Sequence, residues 1–178
     1  LTVQHKGCVL VNVWQCDADA PGDQWLALLT QNGVFSVQKV DREFQWVEAY
    51  KVTGNERLIA PADDPASLTE LFDTQIDTWD FTLETDEGEE RHVGYDTLTG
   101  ETTIIDGEEL LNTEYSGRTI DQDGVEVDAR SGRQFVSEKH RLFFFCEAWQ
   151  NDTPDQPLKA ALAAFRGMVE AFETHLKR

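Results

Sequence analysis

Three carboxylates in one short loop form the pattern of this chain that is most typical of cation binding. Asp17, Asp19 and Asp23 lie at alternate or near-alternate positions in the segment Asp-Ala-Asp-Ala-Pro-Gly-Asp. Calcium takes several oxygen ligands, and loops with Asp at such spacing wrap a cation. The bidentate Glu that ends an EF-hand loop does not follow. We therefore expect a solvated turn and no cofactor, with these three residues as the weak metal candidates.

A second carboxylate stands out by its neighbours. Glu147 alternates with Phe143, Phe145 and Trp149, so strand periodicity places it on an apolar face. A carboxylate in such a place has a raised pKa, is paired, or binds a ligand. Three interpretations stay open: a frayed strand end that leaves Glu147 in solvent, an ion pair with an arginine at position 91, 118 or 133, and a ligand contact.

The usual signatures of enzymes are missing from the sequence. It has no Gly-x-Ser-x-Gly elbow, phosphate-binding loop or dinucleotide fingerprint, and its four histidines have no metal-ligand spacing. His92 should face away from Val93 and Tyr95, towards solvent. We expect a protein that is not an enzyme. A glycosidase needs only two carboxylates, so it survives as a lower alternative.

The charge balance restricts the partners. The chain of 178 residues has 34 acidic and 15 basic side chains and a formal net charge of -19. Such a surface repels nucleic acid and anionic lipid, and no segment approaches the length of a membrane span. We expect no nucleic-acid partner and no membrane insertion. A cation or a basic protein is a compatible partner, and solubility alone also explains the charge.

The first residue and the cysteines bear on the compartment. The chain begins at Leu1, which favours removal of an export signal and hence a periplasmic or secreted location. A straight strand would separate Cys8 from Cys16 by about 26 Å, too far for a disulfide. Two interpretations of the three cysteines are equally supported: one disulfide that includes Cys146, or three reduced thiols.

Regularly spaced turn signals predict the architecture. Dipeptides that end in glycine recur every seven to twelve residues, at 87–88, 99–100, 106–107, 116–117, 123–124 and 131–132. Glycine accepts the positive φ of tight hairpin turns. The segments between these dipeptides are rich in Thr, Val, Ile, Phe and Trp. Short strands at this spacing predict a mainly β fold, an antiparallel up-and-down barrel or sandwich.

The secondary structure before residue 87, where these turn signals begin, is also predicted. Strands are expected over residues 8–14, 34–40 and 45–52. Residues 23–31 fit either a short helix that ends at a glycine cap or a strand that enters an Asn-Gly hairpin, and we favour the hairpin because residues 34–40 need a partner strand. Ser67 should cap a short helix that reaches Phe72. Residues 78–85 alternate cleanly, with Trp79, Phe81 and Leu83 on one face.

The last strand and the segment after it complete the predicted fold. Residues 141–149 are apolar on both faces, so we expect a cover over the outer face. An amphipathic helix over residues 157–176, with Pro157 in its first turn, is the predicted cover. The whole chain, residues 1–178, is then one domain with a β meander over residues 8–149.

This order of elements resembles that of the lipocalins. Those proteins have a Gly-x-Trp motif near the start of the first strand, and the nearest match here, Gly22-Asp23-Gln24-Trp25, has one residue too many. We infer a lipocalin-like arrangement but no membership of the family.

The arrangement suggests a binding function. An exported barrel of this kind can hold a small apolar ligand between aromatic side chains. The predicted ligand-binding residues are Trp46, Tyr50, Trp79, Tyr95, Glu147 and Trp149. The first alternative is a protein-interaction or envelope-structural domain that presents an acidic face to a basic partner. The oligomeric state is left open.

Overall fold

The computed structural model describes residues 1–5 and 9–151. In these residues, eleven antiparallel strands form one sheet in which each strand pairs with its neighbours in sequence. The strands are β1 Thr2–His5, β2 Val9–Trp14, β3 Gln24–Thr30, β4 Gly33–Val40, β5 Trp46–Lys51, β6 Gly54–Leu58, β7 Ile76–Thr85, β8 Gly88–Ile105, β9 Glu108–Asp121, β10 Glu126–Ser137 and β11 Leu142–Gln150. The described part of the chain also contains one helix, α1 Leu68–Thr74, which lies between β6 and β7.

The sheet curls into a nearly closed barrel, which confirms the predicted fold class. The His5 side chain of β1 hydrogen-bonds the backbone of Phe145 in β11, so the two ends of the sheet approach each other. Near the other end of β11, the amide of Gln24 donates to the carbonyl of His140 at 3.0 Å. The predicted helix over residues 157–176 and Cys8 lie outside the described residues.

Helix α1 closes one end of the barrel. Its amino terminus is capped as predicted, because the Ser67 hydroxyl accepts a hydrogen bond from the Glu70 amide at 3.1 Å. Leu68 and Leu71 are fully buried and pack with Val136 of β10. Phe44 and Phe143 lie against the same cluster. We call this end, formed by α1 and the loop before it, the closed end.

Half of the predicted glycine turns are wrong. Turns join the strands at residues 86–87, 106–107 and 122–124, as expected. Gly100, Gly117 and Gly132 instead lie within β8, β9 and β10, which are long continuous strands. Glycine within a strand marks an irregularity or a close approach of another group as well as a turn. The sheet shows both, an irregular register beside Gly100 and close aromatic contacts at Gly117 and Gly132.

Two short strands were not predicted from the sequence. β1 and β6 have only four and five residues and contain charged or polar side chains. Their strand conformation comes from pairing with β2 and with β5 and β7. The Asn-Gly hairpin between β3 and β4 is confirmed, and Gly33 has the positive φ of 107° that such a turn requires.

Candidate functional site

A cavity of about 600 Å³ lies inside the barrel, between β5, β7, β8, β9, β10 and the start of α1. Its wall is formed by three successive rungs of paired residues on the inner faces of β7, β8, β9 and β10. The rungs, from the closed end outwards, are Asp77–Asp96–Tyr115–Gly132, Trp79–Gly94–Gly117–Arg130 and Phe81–His92–Thr119–Asp128.

The middle rung is shaped by two glycines. The Trp79 ring lies flat against Gly94 and Gly117, so closely that a Cβ at Gly117 would be 2.5 Å from Trp79 Cη2. The same relation recurs beside it, where a Cβ at Gly132 would be 2.5 Å from Tyr115 Cε1. The glycines therefore let two aromatic rings lie along the sheet as walls of the cavity.

Two buried carboxylates face each other near the closed end. Asp77 of β7 and Asp96 of β8 are cross-strand partners, with 5 % and 8 % of their surface exposed. Asp77 Oδ2 accepts a hydrogen bond from the Ser67 amide at 2.9 Å, whereas its Oδ1 is buried without a partner. Asp96 accepts hydrogen bonds from the Trp79 indole at 3.0 Å and from the Gln134 amide at 2.7 Å.

Burial changes the acidity of both groups. Loss of water raises the pKa of Asp77 to about 7. The hydrogen bond from the Ser67 amide lowers this pKa in part, and the nearby charge of Asp96 raises it further. Burial also raises the pKa of Asp96 to about 6, against the hydrogen bonds from Trp79 and Gln134. Each carboxyl thus exchanges its proton near neutral pH, unlike an ordinary surface aspartate.

His92 occupies the outer rung as a neutral ring. Burial lowers its pKa to about 4. Its Nδ1 is 3.2 Å from the Thr119 hydroxyl, and its ring stacks on Phe81 with centroids 5.3 Å apart. Its Nε2 is buried and has no hydrogen-bond partner among the described residues. The expectation that His92 faces solvent is wrong because the inner face of β8 lines a cavity.

Charged side chains surround the other end of the cavity. Lys51 and Glu56 form an ion pair there, and Glu90 lies beside them on the inner face of β8. Asp128 and Arg130 form another ion pair at 2.8 Å on β10. We call these five residues the charged rim. Along β8, Glu90 and Asp96 are six residues apart, so the cavity extends about 20 Å from the rim to the carboxylates.

Only two of the six predicted ligand-binding residues line this cavity. They are Trp46 and Trp79. Trp46 reaches it because a bulge between Lys39 and Val40 pairs Trp46 with buried Val40, which lies on the inner face. Tyr50, which strict alternation along the strand would place on the same face as Trp46, is exposed on the outer face and hydrogen-bonds Glu48.

The other three predicted residues belong to the outer face. Tyr95 is exposed, and Trp149 lies opposite Ser131 on the same side of the sheet. Glu147 forms an ion pair with Arg133 at 3.1 Å, which was one of the three interpretations of its sequence. A bulge between Arg133 and Gln134 separates Glu147 from the alternation of the Phe residues before it.

The acidic loop holds a lysine in this structure. The Lys39 ammonium lies 2.7 Å from Asp19 and 3.0 Å from Asp23, and the Trp25 indole donates to Asp19 at 2.7 Å. Asp17 is exposed. Within the described part of the chain, no three His, Cys, Asp or Glu side chains converge to hold a metal ion. Cys16 is exposed at the start of this loop and forms no disulfide with another described residue.

Sequence reasoning missed the buried carboxylates, although a signal was present. The predicted strand began at Thr78, one residue after Asp77. Extending its alternation by one residue places Asp77 on the face of Trp79 and Phe81. Asp96 likewise shares the inner face of β8 with His92. The sequence signal for this site was a carboxylate on the strand face that otherwise consists of apolar residues.

Comparison with family models, with curated proteins and with solved structures found no match for this chain. Among residues 1–5 and 9–151, no helix is long and apolar enough to cross a membrane.

Proposed function

We propose that this protein is a non-enzymatic binding protein that holds a small, largely apolar ligand in the barrel cavity. The observation that carries the proposal is the cavity itself, whose volume of about 600 Å³ lies in the usual range of ligand sites. Its wall combines the rings of Trp46, Trp79 and Phe81 with a few buried polar atoms. Such a combination binds the apolar part of a ligand and fixes its orientation.

The aromatic wall is rigid as well as apolar. Trp46 packs edge-on against Phe81 with centroids 5.6 Å apart, and Trp79 lies 5.8 Å from the same ring. Trp79 is also held by its hydrogen bond to Asp96 and by the glycines below it. Because these rings are already ordered, a ligand loses little affinity to their immobilisation.

The proposal is tested with N-phenyl-1-naphthylamine, a neutral probe whose fluorescence rises in apolar surroundings. We expect saturable binding to the wild-type protein. Trp46→Leu should weaken binding about tenfold, because it removes ring surface worth roughly 1–2 kcal/mol of contact. The probe's fluorescence titration gives both affinities.

Trp25→Leu is the matched control for this experiment. Trp25 stacks between Trp14 and Tyr50, outside the set of residues that line the cavity. The Trp25→Leu variant should therefore bind the probe with the affinity of the wild type. Absence of saturable binding to the wild-type protein, or equal losses in the two variants, contradicts the proposal.

A second candidate function is favoured by one observation. Asp77 and Asp96 are cross-strand neighbours, so their Cβ atoms are about 5 Å apart, and the Asp96 carboxyl adjoins the Trp79 ring. Retaining glycoside hydrolysis uses two carboxyl groups about 5–5.5 Å apart, a distance that two side chains on neighbouring strands can reach. Hydrolysis of a panel of p-nitrophenyl glycosides by the wild type, abolished in Asp77→Asn, would establish this activity. We expect no turnover, because each Asp96 oxygen already accepts one hydrogen bond, from Trp79 and from Gln134, which makes this carboxylate a weaker nucleophile.

The predicted periplasmic or secreted location is part of the proposal. Fractionation of cells that express the full-length gene tests it: recovery of the protein in the cytoplasmic fraction alone contradicts it.

A further inference from the structure

We propose that the ligand is an organic cation, a protonated primary amine with an apolar body, whose ammonium group binds between Asp77 and Asp96 at the closed end of the cavity. This inference rests on the proposed function, and it adds the chemical class of the ligand and the orientation in which it binds.

The first supporting observation is the unused oxygen of Asp77. This side chain is 95 % buried, since 5 % of its surface is exposed, and it lines the cavity. Oδ2 is occupied by the Ser67 amide, but Oδ1 has no partner. A buried acceptor without a donor is unfavourable, and a ligand N–H group directed at Oδ1 removes that penalty. The ligand atom that fits here is therefore a hydrogen-bond donor.

The second observation is the charge of the site. Neither Asp77 nor Asp96 forms an ion pair with a described Lys, Arg or His. The donors that reach them, the Ser67 amide, the Trp79 indole and the Gln134 amide, are all neutral. When both groups are ionised, two adjacent carboxylates with only neutral partners are stabilised most by a positive donor.

The walls beside the carboxylates favour an organic cation over a metal ion. Trp79 lies next to Asp96, and Trp46 and Phe81 continue the aromatic wall outwards. Aromatic faces attract ammonium groups through their quadrupoles and also pack against an alkyl or aryl body. Hard metal ions instead require several oxygen ligands, which the described residues do not assemble here.

The unpartnered Oδ1 of Asp77 also favours organic cations that carry an N–H group. A quaternary ammonium has no N–H and leaves Asp77 Oδ1 without a donor. A primary ammonium has three N–H groups and can reach both carboxylates at once. The net charge of -19 further raises the local concentration of any small cation near the protein.

The experiment compares three ligands of nearly equal size and different charge. They are 2-phenylethylammonium, 2-phenylethanol and phenylacetate, each measured by displacement of N-phenyl-1-naphthylamine at about pH 8, where both carboxyls are ionised and the amine is still protonated. We expect the ammonium to bind at least tenfold more tightly than the alcohol and the carboxylate to bind most weakly. Equal affinities, or tighter binding of the carboxylate, overturn the inference.

The variant Asp77→Asn keeps the shape of the side chain and removes its charge. We expect it to weaken ammonium binding about 10- to 100-fold and to change alcohol binding less than about threefold. Asp80→Asn is the matched control, since Asp80 is on the same strand but pairs with Arg91 on the outer face. An Asp77→Asn protein that binds the ammonium like the wild type overturns the inference. If this variant does not fold, the comparison of the three ligands on the wild type decides alone.

Failure of the binding function can be distinguished from failure of the ligand assignment. If the neutral probe does not bind to the wild type, the proposed function fails and the present inference fails with it. If the probe binds and is displaced equally well by the ammonium and the alcohol, the binding function stands and the assignment of a cationic ligand is wrong.

Discussion

Asp77 shows how one residue gains its properties from its neighbours. It is chemically the same as Asp80, three residues later on β7. Asp80 points outwards to Arg91, whose hydrogen bonds hold the pKa of that carboxyl below its usual range. Asp77 points into the barrel, where burial raises its pKa to about 7. The direction of the side chain, set by strand parity, decides between the two.

This difference predicts how stability depends on pH. The pKa of Asp77 is raised from 3.8 to about 7 on folding, mainly by burial and further by Asp96 of β8, Glu70 of α1 and Asp64 of the preceding loop. Between these values the folded protein holds a proton that the unfolded chain has released. The stabilising effect of the protonated group is therefore complete below about pH 4 and is lost as the pH rises through 7.

Asp77→Asn should remove that dependence. As the pH rises from about 4.5 to about 7.5, we expect the wild type to lose about 3 kcal/mol of unfolding free energy that this variant does not lose. Urea unfolding at both pH values measures the change. Asp80→Asn should keep a constant difference from the wild type over this range, since the lowered pKa of Asp80 affects stability only at more acidic pH. A constant difference for Asp77→Asn as well would show that Asp77 is not the titrating group.

At the scale of the strands, local irregularities decide which side chains reach the cavity. Strict alternation places Trp46 with Tyr50, and Glu147 with Phe145. The bulge opposite β5 turns Trp46 inwards, and the bulge between β10 and β11 places Glu147 beside Arg133. A bulge changes side-chain parity without leaving a turn residue in the sequence. The sequence therefore predicts the strands better than it predicts their faces.

The glycines within strands give a prediction at the same scale. Gly117→Ala places a Cβ 2.5 Å from the Trp79 ring and should lower the free energy of unfolding by about 1–3 kcal/mol through overpacking. Chemical denaturation measures this loss.

The control is the same substitution in a Trp79→Leu background. With the ring removed, Gly117→Ala should cost less than half as much, because the contact that opposes the methyl group is gone. An equal cost in both backgrounds would mean that Gly117 is needed for the strand itself and not for the ring.

At the scale of the whole molecule, the up-and-down order of strands was predictable and the interior was not. Turn signals at Asp106-Gly107 and Asp123-Gly124 and the alternation of β7 are enough to predict consecutive antiparallel strands. The cavity depends on contacts between distant segments, such as the Ser67 amide with Asp77 and the Gln134 amide with Asp96. Alternation alone places Asp77 on the inner face, but no local pattern encodes these contacts between distant segments, so the surroundings of the two carboxyls are visible only in the folded chain.

The barrel is also larger than the arrangement it resembled in sequence. The eleven strands of the described residues exceed the number in lipocalin barrels, and helix α1, between β6 and β7 in sequence, fills one end. Fold alone does not identify function, so the binding proposal depends on the residues inside the barrel and not on this resemblance.

The hydrogen bond from Trp79 to Asp96 gives the protein an intrinsic optical reporter. The indole N–H points at a carboxyl that gains and loses its proton near pH 6, and the ring surface faces the cavity. Indole emission responds to nearby charge and to displaced water, so the fluorescence of Trp79 reports both the ionisation of Asp96 and the binding of a molecule in the cavity. Of the five tryptophans, Trp14 and Trp25 stack on each other away from the cavity lining and supply a steady background. The state of the interior can thus be followed in solution without attaching a dye.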